Sequence, residues 1–85
     1  MYTIVYSRSA RREMNRLPYN IRARIQARLT HLAENPYARN NNVTKMQNHP
    51  GYRLRVGDWR VIYLLEDSQL KIMVARVANR GEVYR

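Results

Sequence analysis

Three arginines are predicted to gather on one face of a short β-hairpin. Residues 52–63 alternate apolar and polar side chains around Gly57-Asp58. That pair is typical of a two-residue hairpin turn, because glycine readily adopts the positive φ that such turns require. Closing the turn there sets Arg55 directly opposite Arg60 and puts Arg53 on the same face. The opposite, apolar face then consists of Tyr52, Leu54, Val56, Trp59, Val61 and Tyr63.

The pairing of two positive charges across this hairpin suggests a ligand. Like charges directly opposed on neighbouring strands destabilise a sheet by about 0.2–1 kcal/mol. An anion bound to the face would offset that cost. Phosphate is the first candidate, because the planar guanidinium group matches it in shape and charge. The alternative is that Arg55 and Arg60 are surface charges paired with Asp58 or Glu66.

The whole chain is strongly basic. Its 85 residues include 16 Lys and Arg against 6 Asp and Glu, which gives a formal net charge of +10. Of these 16 residues, Lys45 and Lys71 are lysines and all the others are arginines. Such a charge on one small domain points to a polyanionic partner, either nucleic acid or an acidic protein. A generally basic protein without such a partner is the alternative.

Several other kinds of chemistry lack the residues they need. The chain has no cysteine, and its two histidines, His31 and His49, fall in different predicted elements. The carboxylates show no metal-ligand spacing, and no glycine-rich phosphate loop or catalytic serine is recognisable. No apolar run approaches the roughly 18 residues that cross a bilayer, and the N-terminus lacks the features of a secretory signal. We therefore expect a complete, cytoplasmic protein with no metal, no cofactor and no membrane partner.

The elements that position the arginines follow from hydrophobic periodicity. Two helices are expected, one capped by Ser7 and ending near Leu17, the other running from Pro18 to the Asn35-Pro36 pair. Strands are expected at residues 2–6, 43–46, on both sides of the Gly57-Asp58 turn, and at 70–77. The order β-α-α-β-β-β-β predicts a single α+β domain over residues 1–85. In it, both helices pack on one face of a small antiparallel sheet and the arginines lie on the open face. Residues 79–85 are expected to form a turn and a short extended tail.

Two stretches of the chain together resemble the RelE family of bacterial toxin–antitoxin systems. They are PGYRLRVGDWRVIY at residues 50–63 and RVANRGEVYR at residues 76–85. The predicted first strand and helical hairpin also fit the layout of that family, so the likeness covers nearly the whole chain.

The resemblance implies a small mRNA interferase that enters the ribosomal A site and cuts the codon there without a metal. The ribose 2′-OH would attack the adjacent phosphate, leaving a 2′,3′-cyclic phosphate and a 5′-OH. The implied partners are the ribosome with its rRNA, the mRNA, and an acidic antitoxin that wraps and neutralises the toxin.

The same resemblance implies roles for individual residues. Arg53 and Arg60 would hold the scissile phosphate, with Arg55 beside them. Arg80 would neutralise or protonate the leaving 5′-oxygen, and Tyr84 would stack on a base or orient the nucleophile. The implied catalytic set is Arg53, Arg55, Arg60, Arg80 and Tyr84, and the RNA-binding set is Lys45, His49, Arg53, Arg55 and Arg60.

The chain departs from the RelE pattern in two places. Some members carry lysine on the strand where Arg53 and Arg55 stand, and arginine is a poor general base because it stays protonated. Many relatives have histidine where Asn79 stands, which removes one candidate for acid–base catalysis. His49, beside Pro50-Gly51, fits a loop histidine, although histidine is the only obvious candidate nearby for a base at neutral pH. Two alternatives stay open: a ParE-like toxin that poisons DNA gyrase without nuclease activity, and an RNA-binding module that has lost catalysis.

Overall fold

A computed structural model describes residues 1–83, the side chain of Val83 excepted. Its elements are β1 (Thr3–Tyr6), α1 (Arg8–Arg16), α2 (Tyr19–Glu34), β2 (Val43–Lys45), β3 (Tyr52–Val56), β4 (Trp59–Glu66), a 3₁₀ turn (Asp67–Gln69), β5 (Lys71–Asn79) and α3 (Arg80–Val83). The predicted α+β class and the order of its strands and two long helices are confirmed. No helix among the described residues is long and apolar enough to cross a membrane.

The two long helices begin and end where local chemistry predicts. The side-chain oxygen of Ser7 accepts a hydrogen bond from the Ala10 amide at 3.0 Å, which satisfies one of the free N–H groups of the first turn of α1. Pro18 is the N-cap residue of α2 and Asn35 its C-cap. Each helix therefore begins and ends where its apolar side can pack against the sheet.

The sheet has the strand order β1-β5-β4-β3-β2 and is antiparallel except at one edge. There β1 pairs parallel with β5, in a register that sets Ile4 beside Ile72. This corrects the expectation of a wholly antiparallel sheet. The helices carry the chain to the far edge, where β2 begins, and the antiparallel strands then bring β5 back alongside β1 in the same direction.

The β3–β4 hairpin has the predicted register throughout, with Arg55 opposite Arg60 and Val56 opposite Trp59. Gly57 has a φ of 59°, the left-handed conformation that its turn requires. The alternation along both strands therefore separates an arginine face from an apolar face, as expected.

The core lies between the helices and the apolar face of the sheet. Its largest fully buried side chains are Tyr63, Ile25, Leu29, Leu54, Ile72, Val56, Val61, Val74 and Val77. Tyr52 and Trp59 pack against this core but are only partly buried. Because the helices cover one face only, the arginine face is left open, as predicted.

The end of the chain differs from the expected turn and extended tail. β5 continues to Asn79, opposite Trp59, and α3 follows at once. The Asn79 Oδ1 accepts a hydrogen bond from the Gly81 amide at 3.3 Å, and such a local side-chain acceptor favours a helical turn over an extended one. The remaining expectation for the tail, including the role of Tyr84, lies outside the described residues.

Candidate nucleic-acid interface

The open face of the sheet carries a pocket of about 180 Å³ built around the three hairpin arginines. The residues that line it are Asn41, Asn42, Thr44, Arg53, Arg55 and Arg60. β3 and β4 supply the arginines, β2 supplies Thr44 directly opposite Arg53, and the loop before β2 supplies the two asparagines. The prediction that the three arginines share one face is therefore confirmed.

Arg55 is held by Asn42, which lies in the loop before β2. Its Nη2 donates to Asn42 Oδ1 at 3.0 Å, and its backbone amide donates to the Asn42 carbonyl at 2.8 Å. The side chain of Arg55 is exposed, so its other guanidinium donors face solvent. Asn42 therefore fixes the position of this guanidinium without covering it.

Arg60 folds back over the hairpin turn. Its Nη1 donates to the Gly57 carbonyl at 2.8 Å and to the Trp59 carbonyl at 3.0 Å. Carbonyl oxygens satisfy these donors while leaving the net charge of the guanidinium unchanged. Arg60 is thus fixed to the turn that also sets the register of the hairpin.

The positive charge of the pocket is not neutralised at Arg55 or Arg60. Within residues 1–83, neither guanidinium is paired with a carboxylate, so the alternative of ion pairs with Asp58 or Glu66 is not realised there. The six lining residues offer three guanidiniums, two amides and one hydroxyl, all of which can donate hydrogen bonds to an anion. This chemistry suits a phosphate, and the described lining contains no carboxylate or histidine that could act as a general base.

A hydrogen-bonded group anchors the loop that carries Asn42. The Tyr37 hydroxyl donates to Asp67 Oδ2 at 2.5 Å, and the Tyr2 hydroxyl donates to Asp67 Oδ1 at 2.8 Å. The bond to the carboxylate is the main cause that raises the pKa of Tyr37 to about 12. Nearer the pocket, the Asn42 amide donates to Asn40 Oδ1 at 2.9 Å. The loop is thus tied to the 3₁₀ turn at one end and held by its own side chains at the other.

Lys45 and His49, predicted to bind RNA, do not line the arginine pocket. Lys45 lies opposite Tyr52, which belongs to the apolar face, and its Nζ is 4.8 Å from the centre of that ring. It also lines a neighbouring groove with Arg53 at the β2 edge. The His49 Nδ1 accepts a hydrogen bond from the Gly51 amide at 2.8 Å, in the turn at the far end of β3 from Gly57.

Two further arginines lie near the hairpin turn. The backbone amide of Arg80 donates to the Asp58 carbonyl at 2.9 Å, so this predicted catalytic residue starts α3 beside the turn, without lining the pocket. From α2, Arg24 reaches the same turn, since a β-carbon at Gly57 would lie 3.5 Å from its Nη2. The contact of Arg24 with the turn depends on how α2 packs on the sheet, so it cannot be read from the sequence.

Comparison with known proteins identifies the class. A sequence model described as the ParE toxin of type II toxin-antitoxin system, parDE, matches residues 4–84. The chain therefore belongs to the ParE toxin family. Its likeness to RelE-type proteins agrees with this, so the chain is a toxin of a toxin–antitoxin system, of the RelE/ParE superfamily.

The relatives include both sequences and solved structures. The chain is 26% identical over 85 residues to Toxin RelG of Mycobacterium tuberculosis (strain ATCC 25618 / H37Rv), covering 99% of this chain and 97% of that toxin. A chain in the crystal structure of the intact E. coli RelBE toxin–antitoxin complex matches with a TM-score of 0.81 at 21% identity, covering 93% of this chain and 96% of that one. A chain in the crystal structure of the archaeal RelE–RelB complex from Pyrococcus horikoshii OT3 matches with a TM-score of 0.80 at 25% identity. The match covers 94% of this chain and 96% of that one.

Proposed function

We propose that this toxin is a ribosome-dependent, metal-independent mRNA endoribonuclease that cleaves codons in the A site. The observation that carries the proposal is the open pocket lined by Arg53, Arg55 and Arg60. Two of these guanidiniums are held by neutral oxygen atoms and so keep their full charge for an anion. A phosphodiester is the anion that best fits a cluster of planar, forked donors.

In the proposed reaction, the ribose 2′-oxygen attacks the adjacent phosphorus and the bond from phosphorus to the 5′-oxygen breaks. The products are a 2′,3′-cyclic phosphate and a 5′-OH. The proton of the 2′-OH leaves to water, and the 5′-oxygen takes up a proton from water while Arg80 neutralises its developing charge. The pocket arginines stabilise the additional negative charge that develops on the phosphate oxygens in the transition state.

The pocket favours two main sources of rate enhancement: electrostatic stabilisation of the transition state and orientation of the reacting groups. Arginine stays protonated at any physiological pH, so the three guanidiniums act as fixed charges rather than as bases. Holding the 2′-oxygen in line with the leaving oxygen removes much of the entropic cost of the attack. Arg80 beside the turn and Tyr84 complete the proposed catalytic set, while Lys45 and His49 contact RNA that flanks the pocket.

Metal independence follows from the chemistry of the proposed pocket. Its described lining has three cationic side chains and no carboxylate, a donor set that repels a divalent cation. Toxin treated with a chelator and then desalted is expected to cleave as fast as untreated toxin. A requirement for metal added back to the toxin would contradict this part of the proposal.

The proposed partners are the ribosome, the mRNA and an acidic antitoxin, in the cytoplasm. The net charge of +10 supplies attraction to rRNA. Exposed arginines on α1 are suited to phosphate contacts that carry no sequence information. They are Arg8, Arg11, Arg12 and Arg16. Binding to ribosomes should therefore weaken steeply with salt.

Inhibition of DNA gyrase is the second candidate function, favoured by the match to the ParE family over residues 4–84. Two assays on the same purified protein separate the candidates. Primer extension on mRNA from an in vitro translation reaction is expected to show cuts within A-site codons. A supercoiling assay with purified gyrase is expected to show no inhibition. Intact mRNA together with gyrase-dependent DNA breaks would overturn the ribonuclease proposal.

A further inference from the structure

We propose that Asn42 is a positioning residue that holds Arg55 ready for the scissile phosphate, an inference that rests on the proposed ribonuclease function. Asn42 contacts Arg55 twice, through its side-chain oxygen to Nη2 at 3.0 Å and through its carbonyl to the backbone amide at 2.8 Å. The two residues are thirteen positions apart in the chain. These two contacts hold the backbone amide and the guanidinium of Arg55 on the same residue.

The chemistry of the amide suits this role. A free arginine side chain samples many rotamers, and ordering it at the moment of substrate binding costs free energy. An amide oxygen takes one guanidinium donor and leaves the positive charge intact, whereas a carboxylate there would neutralise it. Asn42 therefore orders Arg55 in advance and keeps it electrostatically available to an anion.

The loop around Asn42 is itself held in place. The Asn42 amide donates to Asn40 Oδ1 at 2.9 Å, and the amide of Val43 donates to the Asn40 carbonyl at 3.1 Å. Further back, Tyr37 is bonded to Asp67. A positioning group must be more ordered than the side chain it positions, and these bonds give Asn42 that order.

Single-turnover cleavage of A-site mRNA on programmed ribosomes tests the inference in four variants. They are Asn42→Ala, Arg55→Ala, the double variant, and Asn15→Ala as an exposed asparagine on α1. Asn42→Ala is expected to lower the maximal rate by about 10-fold, as for the loss of a hydrogen bond to a charged group. The double variant should be no slower than Arg55→Ala, because Asn42 acts through Arg55. Asn15→Ala should cleave at the wild-type rate.

Asn42→Asp separates charge from geometry. The aspartate keeps an acceptor oxygen in the same place but neutralises Arg55, so cleavage should fall at least as far as in Asn42→Ala while the melting temperature does not fall. An aspartate variant as active as the wild type would overturn the requirement for a neutral acceptor.

A readout independent of activity completes the test. In ¹⁵N spectra of the free protein, the Arg55 guanidinium signal should show restricted rotation that is lost in Asn42→Ala. If the fold losses of the two single variants multiply in the double variant, the inference is overturned, since Asn42 would then act on the RNA directly. Full activity of Asn42→Ala beside an inactive Arg55→Ala would overturn the positioning role alone. Full activity of both variants would overturn the ribonuclease site itself.

Discussion

Arg55 and Arg60 lie directly opposite each other in the β3–β4 hairpin, yet their guanidiniums are bonded to separate neutral oxygen atoms. Arg55 bonds to Asn42 in the neighbouring loop, and Arg60 bonds to the carbonyls of Gly57 and Trp59. Within residues 1–83, neither of these paired positive charges is bonded to a carboxylate. The open face of the hairpin therefore keeps both charges available to an anion.

Removing either charge is expected to leave the fold intact. Arg55→Ala and Arg60→Ala should each change the free energy of unfolding by less than about 0.5 kcal/mol, because relief of like-charge repulsion offsets the lost hydrogen bonds. Arg28→Ala, an exposed arginine on α2, is the matched control in thermal or urea melts. A loss well above that size in the hairpin variants alone would mean that these arginines are structural.

The hairpin turn should be sensitive to backbone conformation rather than to side-chain volume. Gly57 has a φ of 59°, and a β-carbon there would meet only ordinary contacts with Arg24 at 3.5 Å. Gly57→Ala should therefore cost about 1–2 kcal/mol, the strain of a left-handed alanine, whereas Gly57→Asn should cost clearly less. If urea melts show equal losses of stability in the two variants, then side-chain volume rather than backbone φ limits substitution at Gly57.

The hairpin could be predicted from sequence because its information is local. Gly57-Asp58 fixes the turn, and the alternation of side chains then fixes the register and both faces. The position of Lys45 could not be predicted in the same way. No short turn fixes β2 against β3, and a shift of one residue in that pairing would exchange its two faces.

The contacts that hold the pocket and the hairpin turn depend on tertiary structure. The bond from Arg55 to Asn42 joins a strand to a loop whose sequence indicates only local hydrogen bonding. Arg24 reaches the turn only once α2 has packed on the sheet. The four-residue helix α3 is too short for periodicity to reveal, since a hydrophobic pattern needs a window of about 11 residues or more.

Tyr63 carries a buried hydroxyl whose removal should be tolerated. Its side chain is fully buried, and the hydroxyl has no hydrogen-bond partner among the described residues. Burial also raises the pKa of this phenol, so it stays neutral. Tyr63→Phe is expected to raise the free energy of unfolding by up to about 1 kcal/mol, because an unsatisfied polar group no longer has to be desolvated.

Tyr52→Phe serves as the control for Tyr63→Phe. Tyr52 stacks on Tyr63 with ring centres 5.4 Å apart but is only partly buried, so its hydroxyl can reach water. Its replacement should leave stability unchanged. A substantial loss in Tyr63→Phe but not in Tyr52→Phe would indicate a bound water that satisfies the Tyr63 hydroxyl.

The Tyr37–Asp67 bond should make stability depend on pH in the alkaline range. The bond raises the pKa of Tyr37 from 10.0 to about 12, so the folded state retains a proton that the unfolded state loses first. Its stabilising contribution is therefore complete below pH 10 and declines as the pH rises from 10 towards 12. In denaturant melts, the stability difference between wild type and Tyr37→Phe should shrink over that interval. A difference that is constant across it would mean that the hydroxyl bond contributes nothing.

The proposal that the arginine pocket cleaves RNA is tested by single-turnover cleavage on ribosomes with a defined A-site codon. Wild type and Arg28→Ala should cut at similar rates and leave 2′,3′-cyclic phosphate ends. Arg55→Ala and Arg60→Ala should be slower by about 100-fold or more, as for the loss of a charge contact made in the transition state. Equal rates in all four proteins, measured on folded protein, would contradict the proposal.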